Sequence, residues 1–172
     1  MKQFEPLVVS LAQALHRRGA LMVTAESCTG GMIAAACTAV AGSSDWFERG
    51  FVSYSNEAKV ELLGVEPALL AAHGAVSAEV VRAMVLGALT QSRADFSVAV
   101  TGIAGPGGAT PGKPVGTVWL ACAARGFAPR VELLRLGGDR AAVREQTVHH
   151  ALQCLLALLE PGGTGTNVSA TG

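Results

Sequence analysis

The chain has 172 residues, half of them hydrophobic and only 15% charged, with 13 basic side chains balancing 13 acidic ones. That length suits one domain with a proper core, expected over residues 1–160, and the balanced charge argues against a groove for nucleic acid or a surface for anionic membranes. No apolar run reaches the roughly eighteen residues of a membrane span. The start, Met1-Lys2-Gln3-Phe4-Glu5-Pro6, lacks a signal-peptide core, so a cytoplasmic location is expected.

Phe4, Leu7, Val8, Leu11, Ala12 and Leu15 recur at helical spacing and Gly19 follows them, which predicts an amphipathic helix from Lys2 to Arg18. Ala20 to Val23 reads as a buried strand and the Ala-rich Met32 to Val40 as a helix, with Thr24-Ala25-Glu26-Ser27-Cys28-Thr29-Gly30-Gly31 between them. After a turn at Gly42-Ser43-Ser44-Asp45, Arg49 to Tyr54 has the aromatic and β-branched content of a second strand. Asn56 is placed to cap a short helix to about Leu63, with Glu57 in its first turn. Pro67 opens another helix that ends near Gly74, and Ser77 caps a longer one to about Arg93.

Phe96 to Thr101 is a short β-rich run that stops at Gly102-Ile103-Ala104-Gly105-Pro106-Gly107-Gly108, a loop whose backbone can approach a ligand closely. Val115 to Ala123 forms a fourth strand. Arg125 to Pro129 is too short for a crossover helix, so Arg130 to Leu136 is predicted to pair antiparallel with it. Asp139 caps a last helix with an apolar stripe from Val143 to Leu159, and the small polar residues from Pro161 onward predict a flexible tail, 161–172. Helix-linked strands followed by a hairpin imply an α/β layered fold with a mixed sheet.

Cys28, Cys37, Cys122 and Cys154 show no CxxC spacing, so reduced, buried thiols are expected rather than a zinc site or a disulfide framework. His149 and His150 are sequence neighbours, which point in different directions on a helix. Neither a metal nor a cofactor is predicted.

Three loops follow predicted strands: the Ser27 turn, Tyr54 to Lys59, and the glycine loop after Thr101. In open α/β sheets ligand sites gather beyond the carboxyl ends of strands, and convergence there puts Ser27 and Lys59 together. Ser27 at a strand-to-helix turn can act as a nucleophile while unpaired helix amides hold an oxyanion; equally, Ser27 and Thr29 can simply cap the helix. No histidine stands on these loops, so the base is a lysine made neutral by burial, with Lys59 the best candidate and a solvated helix lysine the plainer reading. Cys28 is the second candidate nucleophile, because a thiol at a helix N-terminus can ionise.

Tyr54, the only tyrosine, can orient the lysine, relay a proton or contact an aromatic ligand, or merely end a strand. Gly107 to Lys113 matches GxxxxGK, but Pro114 stands where a phosphate-binding loop needs serine or threonine, and a strand follows where a helix should. Triphosphate binding is therefore rejected there, leaving a substrate loop or a plain β-connection. Arg140, after two glycines at the start of the last helix, suits a phosphate monoester or is an exposed helix arginine.

Together, Ala25-Glu26-Ser27-Cys28-Thr29-Gly30-Gly31, Tyr54-Ser55-Asn56-Glu57-Ala58-Lys59, Gly74-Ala75-Val76-Ser77, Val100 to Gly108 and Gly138-Asp139-Arg140 resemble the CinA C-terminal domain family, over about Phe4 to Leu159. The resemblance implies a three-layer α/β/α sandwich with a mixed, mainly parallel five-stranded sheet. It also implies an amidohydrolase that converts nicotinamide mononucleotide to nicotinate mononucleotide and ammonia, in pyridine nucleotide salvage. By that resemblance Ser27 is the nucleophile, Lys59 its base and Tyr54 an assistant. Substrate contacts are expected from Cys28, Thr29, Gly30, Asn56, Thr101, Gly102, Gly105, Gly107 and Arg140. A homo-oligomer is implied as well. Longer relatives carry an N-terminal molybdopterin-binding-like domain with pyrophosphatase activity, and only the deamidase is expected here. Two other readings stay open: a catalytically silent nucleotide-binding module, and an amidase for another carboxamide.

Overall fold

The computed structural model describes residues 1–160 and Gly162; the tail expected from Pro161 onward, Gly162 apart, lies outside them. A 3-10 turn at Lys2–Phe4 leads into helix α1 (Glu5–Arg18), which ends where Gly19 takes left-handed backbone at φ 57°. Strand β1 (Met22–Glu26), helix α2 (Met32–Thr38) and strand β2 (Phe47–Val52) follow, then α3 (Asn56–Leu63), α4 (Pro67–His73) and α5 (Ala78–Thr90). The chain closes with β3 (Phe96–Gly102), β4 (Thr117–Ala124), β5 (Arg130–Arg135) and α6 (Arg140–Leu159).

Every predicted element is present, and the shifts in their bounds have local causes. β1 runs on past the apolar stretch through Thr24, Ala25 and Glu26, which are fully buried. The polarity of Thr24 and Glu26 disguised a strand end as a turn, because burial of a polar side chain is legible only once its partner is known. Ser55, not Asn56, caps α3: its side chain accepts from the Ala58 amide at 3.0 Å, which puts Asn56 at the first helical position. Asp139 caps α6 as predicted, accepting from the Ala142 amide at 2.9 Å.

The sheet order is β2-β1-β3-β4-β5. β1 pairs parallel with both β2 and β3, while β3 with β4 and β4 with β5 are antiparallel. Four strands therefore point one way and β4 alone is reversed. Alternation along the strands feeds two apolar layers. Met22, Val98, Val100, Val118 and Leu120 pack with α1, α2 and α6, whereas Val23, Ala25, Ala99, Ala121 and Ala123 meet α5. The result is a three-layer α/β/α arrangement.

Small residues on the second face let α5 sit close to the sheet and to α3. A Cβ added to Gly87 of α5 would meet the Leu63 carbonyl oxygen at 1.9 Å, so only glycine permits that approach. On the other face, Cys122 of β4 and Cys154 of α6 form a disulfide with Cα atoms 6.4 Å apart. This corrects the expectation of four reduced thiols. The pair is 32 residues apart in sequence and is brought together only by α6 packing on β4, so no spacing pattern announces it. Cys28 and Cys37 are free and buried. Among the described residues no helix is long and apolar enough to cross a membrane.

From β1 the chain passes through α2 to β2 on one side, then through α3 to α5 and back to β3 on the other. The carboxyl end of β1 is thus where the connections part to opposite faces, leaving a crevice. Ser27 stands there.

Candidate active site

Glu26, the last residue of β1, organises the turn below Ser27. Its fully buried carboxyl group accepts from the Thr29 hydroxyl at 2.6 Å and the Thr24 hydroxyl at 3.3 Å. It also accepts from the backbone amides of Gly31 (3.1 Å), Ile33 (2.9 Å) and Ala34 (2.8 Å). The expectation that the first amides of this helix stay unpaired is therefore corrected: a carboxyl oxygen pair from the preceding strand already occupies them. Two amides of the turn have no partner in another described residue instead, the Cys28 amide facing its own thiol. Among the described residues neither the Cys28 nor the Thr29 amide donates to another residue, while the Gly30 amide closes the turn onto the Ser27 carbonyl at 3.1 Å.

Lys59 reaches Ser27 from α3. Lys59 and Leu63, one turn apart, are the buried residues of this helix, so the lysine points inward where the periodicity places an apolar side chain. Its Nζ lies 3.1 Å from Ser27 Oγ and is 1% exposed as a residue. It donates to the carbonyls of Ser53 (2.9 Å), Tyr54 (3.2 Å) and Ser55 (3.4 Å). Burial pushes the Lys59 pKa below the ordinary lysine value, and nearby Cys28 and Glu57 pull the other way more weakly. The carbonyls serve either protonation state, since a neutral amine still has two N–H groups to place.

Cys28 lies beside Ser27 in the same turn. Burial raises its pKa to about 12, against any help from Arg144 or Lys59, so the neutral thiol persists at physiological pH. Its second-choice role is not supported by that environment.

Tyr54 departs from expectation in a specific way. Its carbonyl, not its phenol, meets Lys59. The residue is 57% exposed, and its hydroxyl accepts from Arg140 Nη2 at 3.0 Å. Arg140 also donates from Nη1 to the Gly105 carbonyl at 2.8 Å, which ties the glycine loop to the loop after β2. Free amides beside Arg140 are reduced in number, because Asp139 already accepts from Ala142 and Val143.

These side chains enclose a cleft of 210 Å³, lined among others by Ser27, Cys28, Tyr54, Asn56, Lys59 and Arg140. Thr101, Gly102 and Ala104 contribute from β3 and its loop. The Thr101 hydroxyl is spent on the Ala75 carbonyl at 2.8 Å, and this holds the Ala75-Val76 segment as another wall. A Cβ on Gly102 would meet Val118 at 2.6 Å, so that glycine serves strand packing as well as the cleft. Thr29 turns its side chain to Glu26, Gly105 acts through its carbonyl, and Gly107 is exposed and does not line the cleft. A larger hollow of 510 Å³ between α3 and α4 shares Asn56 but contains neither Ser27 nor Lys59.

The model of the CinA C-terminal domain matches residues 4–159. The chain belongs to that family. It is 56% identical over 147 residues to the nicotinamide-nucleotide amidohydrolase PncC of Escherichia coli K12, covering 84% of this chain and 88% of that one. A protein of the same name from Pseudomonas putida is 54% identical over 160 residues, covering 92% and 98%. Among solved structures of the CinA type, the competence/damage inducible protein CihA from Agrobacterium tumefaciens aligns with a TM-score of 0.89 at 47% identity, over 91% of this chain and 96% of that one.

Sequence reasoning quoted Glu26, Ala75 and Val76 without assigning them a role, and missed Arg144 altogether. A carboxylate placed just before the first helix amides was the available signal for Glu26. Arg144 stands one turn after Arg140 and donates from Nη2 to the Thr29 carbonyl at 2.8 Å.

Proposed function

We propose that this member of the CinA C-terminal domain family hydrolyses nicotinamide mononucleotide to nicotinate mononucleotide and ammonia through Ser27 and Lys59. The observation that carries the reading is the 3.1 Å approach of a buried amine to a hydroxyl at the carboxyl end of β1. The names of the relatives point to the same substrate class. Cytoplasmic location, self-association and service in pyridine nucleotide salvage belong to the same proposal.

Neutral Lys59 places its two N–H bonds on the Ser53 and Tyr54 carbonyls, leaving the lone pair for the Ser27 proton. Ser27 Oγ bonds to the carboxamide carbon, and the Cys28 and Thr29 amides receive the oxyanion. Collapse breaks the C–N bond, Lys59 returns its proton to nitrogen, and ammonia leaves. Water then gives a proton to Lys59 and its oxygen to the acyl carbon, which releases the acid and restores Ser27. Tyr54 and Arg140, joined through the phenol, form the rim that meets the nucleotide portion.

Ammonia release from nicotinamide mononucleotide by the purified chain tests this directly. Binding without release supports a silent nucleotide-binding module, and equal release from free nicotinamide or another carboxamide supports a different amidase. If Arg140 contacts phosphate, Arg140→Ala raises KM by about tenfold or more and lowers kcat less, because binding common to ground and transition states is lost. A kcat loss with unchanged KM removes that role.

The pH profile reports the base. Lys59 must lose its proton to act, and burial lowers its pKa below 10.5, so kcat/KM rises with pH and levels off below the ordinary lysine range. A profile that falls as pH rises toward the ordinary lysine range contradicts lysine as the base.

A further inference from the structure

We infer that Arg144 is a positioning residue for the Ser27 turn, holding the Thr29 carbonyl from α6 so that the Cys28 and Thr29 amides are left free to receive an oxyanion. This rests on the reading of Ser27 as nucleophile but not on the identity of the amide.

Three observations converge. The peptide between Thr29 and Gly30 is gripped at both ends, its carbonyl by Arg144 Nη2 at 2.8 Å and its N–H by the Ser27 carbonyl at 3.1 Å. With that peptide plane set, the two preceding amides have no acceptor in another residue among those described. Second, the guanidinium is poorly served by its own surroundings, since its Nε is buried without a partner. An orphaned buried donor costs about 1–3 kcal/mol, which offsets what the Thr29 contact returns to the fold. Third, Arg140 and Arg144 lie one turn apart on α6 and between them hold Gly105, Tyr54 and Thr29, which follow β3, β2 and β1 respectively. One helix thus sets all three loops around the cleft. Glu26 braces the same turn from within, through Thr29 Oγ1 and the α2 amides, and leaves the Thr29 carbonyl to Arg144.

The test is the rate at which an alkyl fluorophosphonate labels Ser27, followed by intact mass, in wild type, Arg144→Met and Arg144→Lys. The reagent forms an Oγ–P bond with loss of fluoride and draws on the oxyanion donors without needing the amide substrate. Arg144→Met is expected to label about tenfold or more slowly, with its melting temperature unchanged or raised. Arg144→Lys is expected to restore most of the rate, because the native contact uses a single N–H. With nicotinamide mononucleotide the methionine variant loses kcat while KM stays within about twofold. The inference is overturned by wild-type labelling in Arg144→Met, by a methionine variant that melts early or fails to fold, by no rescue with lysine, or by no labelling of Ser27 in wild type. Labelling at Ser27 without ammonia release defeats the substrate reading alone.

Discussion

Ser27→Ala is expected to abolish ammonia release from nicotinamide mononucleotide, lowering kcat by on the order of 10⁴-fold or more, the scale seen when a serine nucleophile is removed. The substitution deletes one oxygen and leaves the cleft otherwise intact: Lys59 keeps its contacts to the Ser53, Tyr54 and Ser55 carbonyls, and Arg140 keeps Tyr54 and Gly105. Substrate affinity should therefore change little, which a calorimetric titration of the variant can show. Cys28 is not placed to take over, since Lys59 Nζ contacts Ser27 Oγ and burial raises the thiol pKa to about 12. Cys28→Ala accordingly retains most activity. Retained activity in Ser27→Ala, or its loss in Cys28→Ala alone, would move the nucleophile to the neighbouring position.

The second large effect falls on stability. Glu26→Ala removes the acceptor for three backbone amides and for the Thr29 hydroxyl, two of these contacts buried and two part-buried. Each orphaned buried donor costs about 1–3 kcal/mol, so a total loss on the order of 4 kcal/mol is expected even after relaxation. For a chain of this size that lowers the melting temperature by roughly 10 °C, measurable by calorimetry. Glu26→Gln keeps one accepting oxygen but turns an NH₂ toward groups that already donate, and should lose about half as much. A near-native melting temperature in Glu26→Ala would mean that water or a shifted side chain can replace the carboxyl group. The contrast with Arg144 is informative: one polar residue holds the turn together, while the other is expected to cost nothing in stability when replaced and to matter only in the reaction.

Much of the site was legible because the relevant signals are local. Ser27, Lys59, Thr101 and Arg140 each stand at or just beyond a strand end or in the first turn of a helix, and the rule that ligands gather at strand ends brings them into one crevice. The caps at Ser77 and Asp139 follow from side-chain chemistry within a few residues. Tyr54 shows where such reasoning fails. A phenol is chemically conspicuous, yet the backbone oxygen of the same residue is what touches Lys59. Nothing in a one-letter string distinguishes a residue that acts through its side chain from one that acts through its carbonyl. Arg144 was invisible for a related reason: a charged side chain on an amphipathic helix reads as solvated until a distant carbonyl is seen to claim it.

By itself, the order of residues determined the helices and strands, their sequence, the mixed sheet and the three loops that carry the chemistry. These depend on periodicity, caps and turn residues, which act over a few positions along the chain. Tertiary packing alone decided which other buried group meets which: Glu26 with the α2 amides, Arg144 with Thr29, Cys122 with Cys154. A buried donor or acceptor is stable only with a partner, and that partner can lie more than a hundred residues away, as Thr29 does from Arg144.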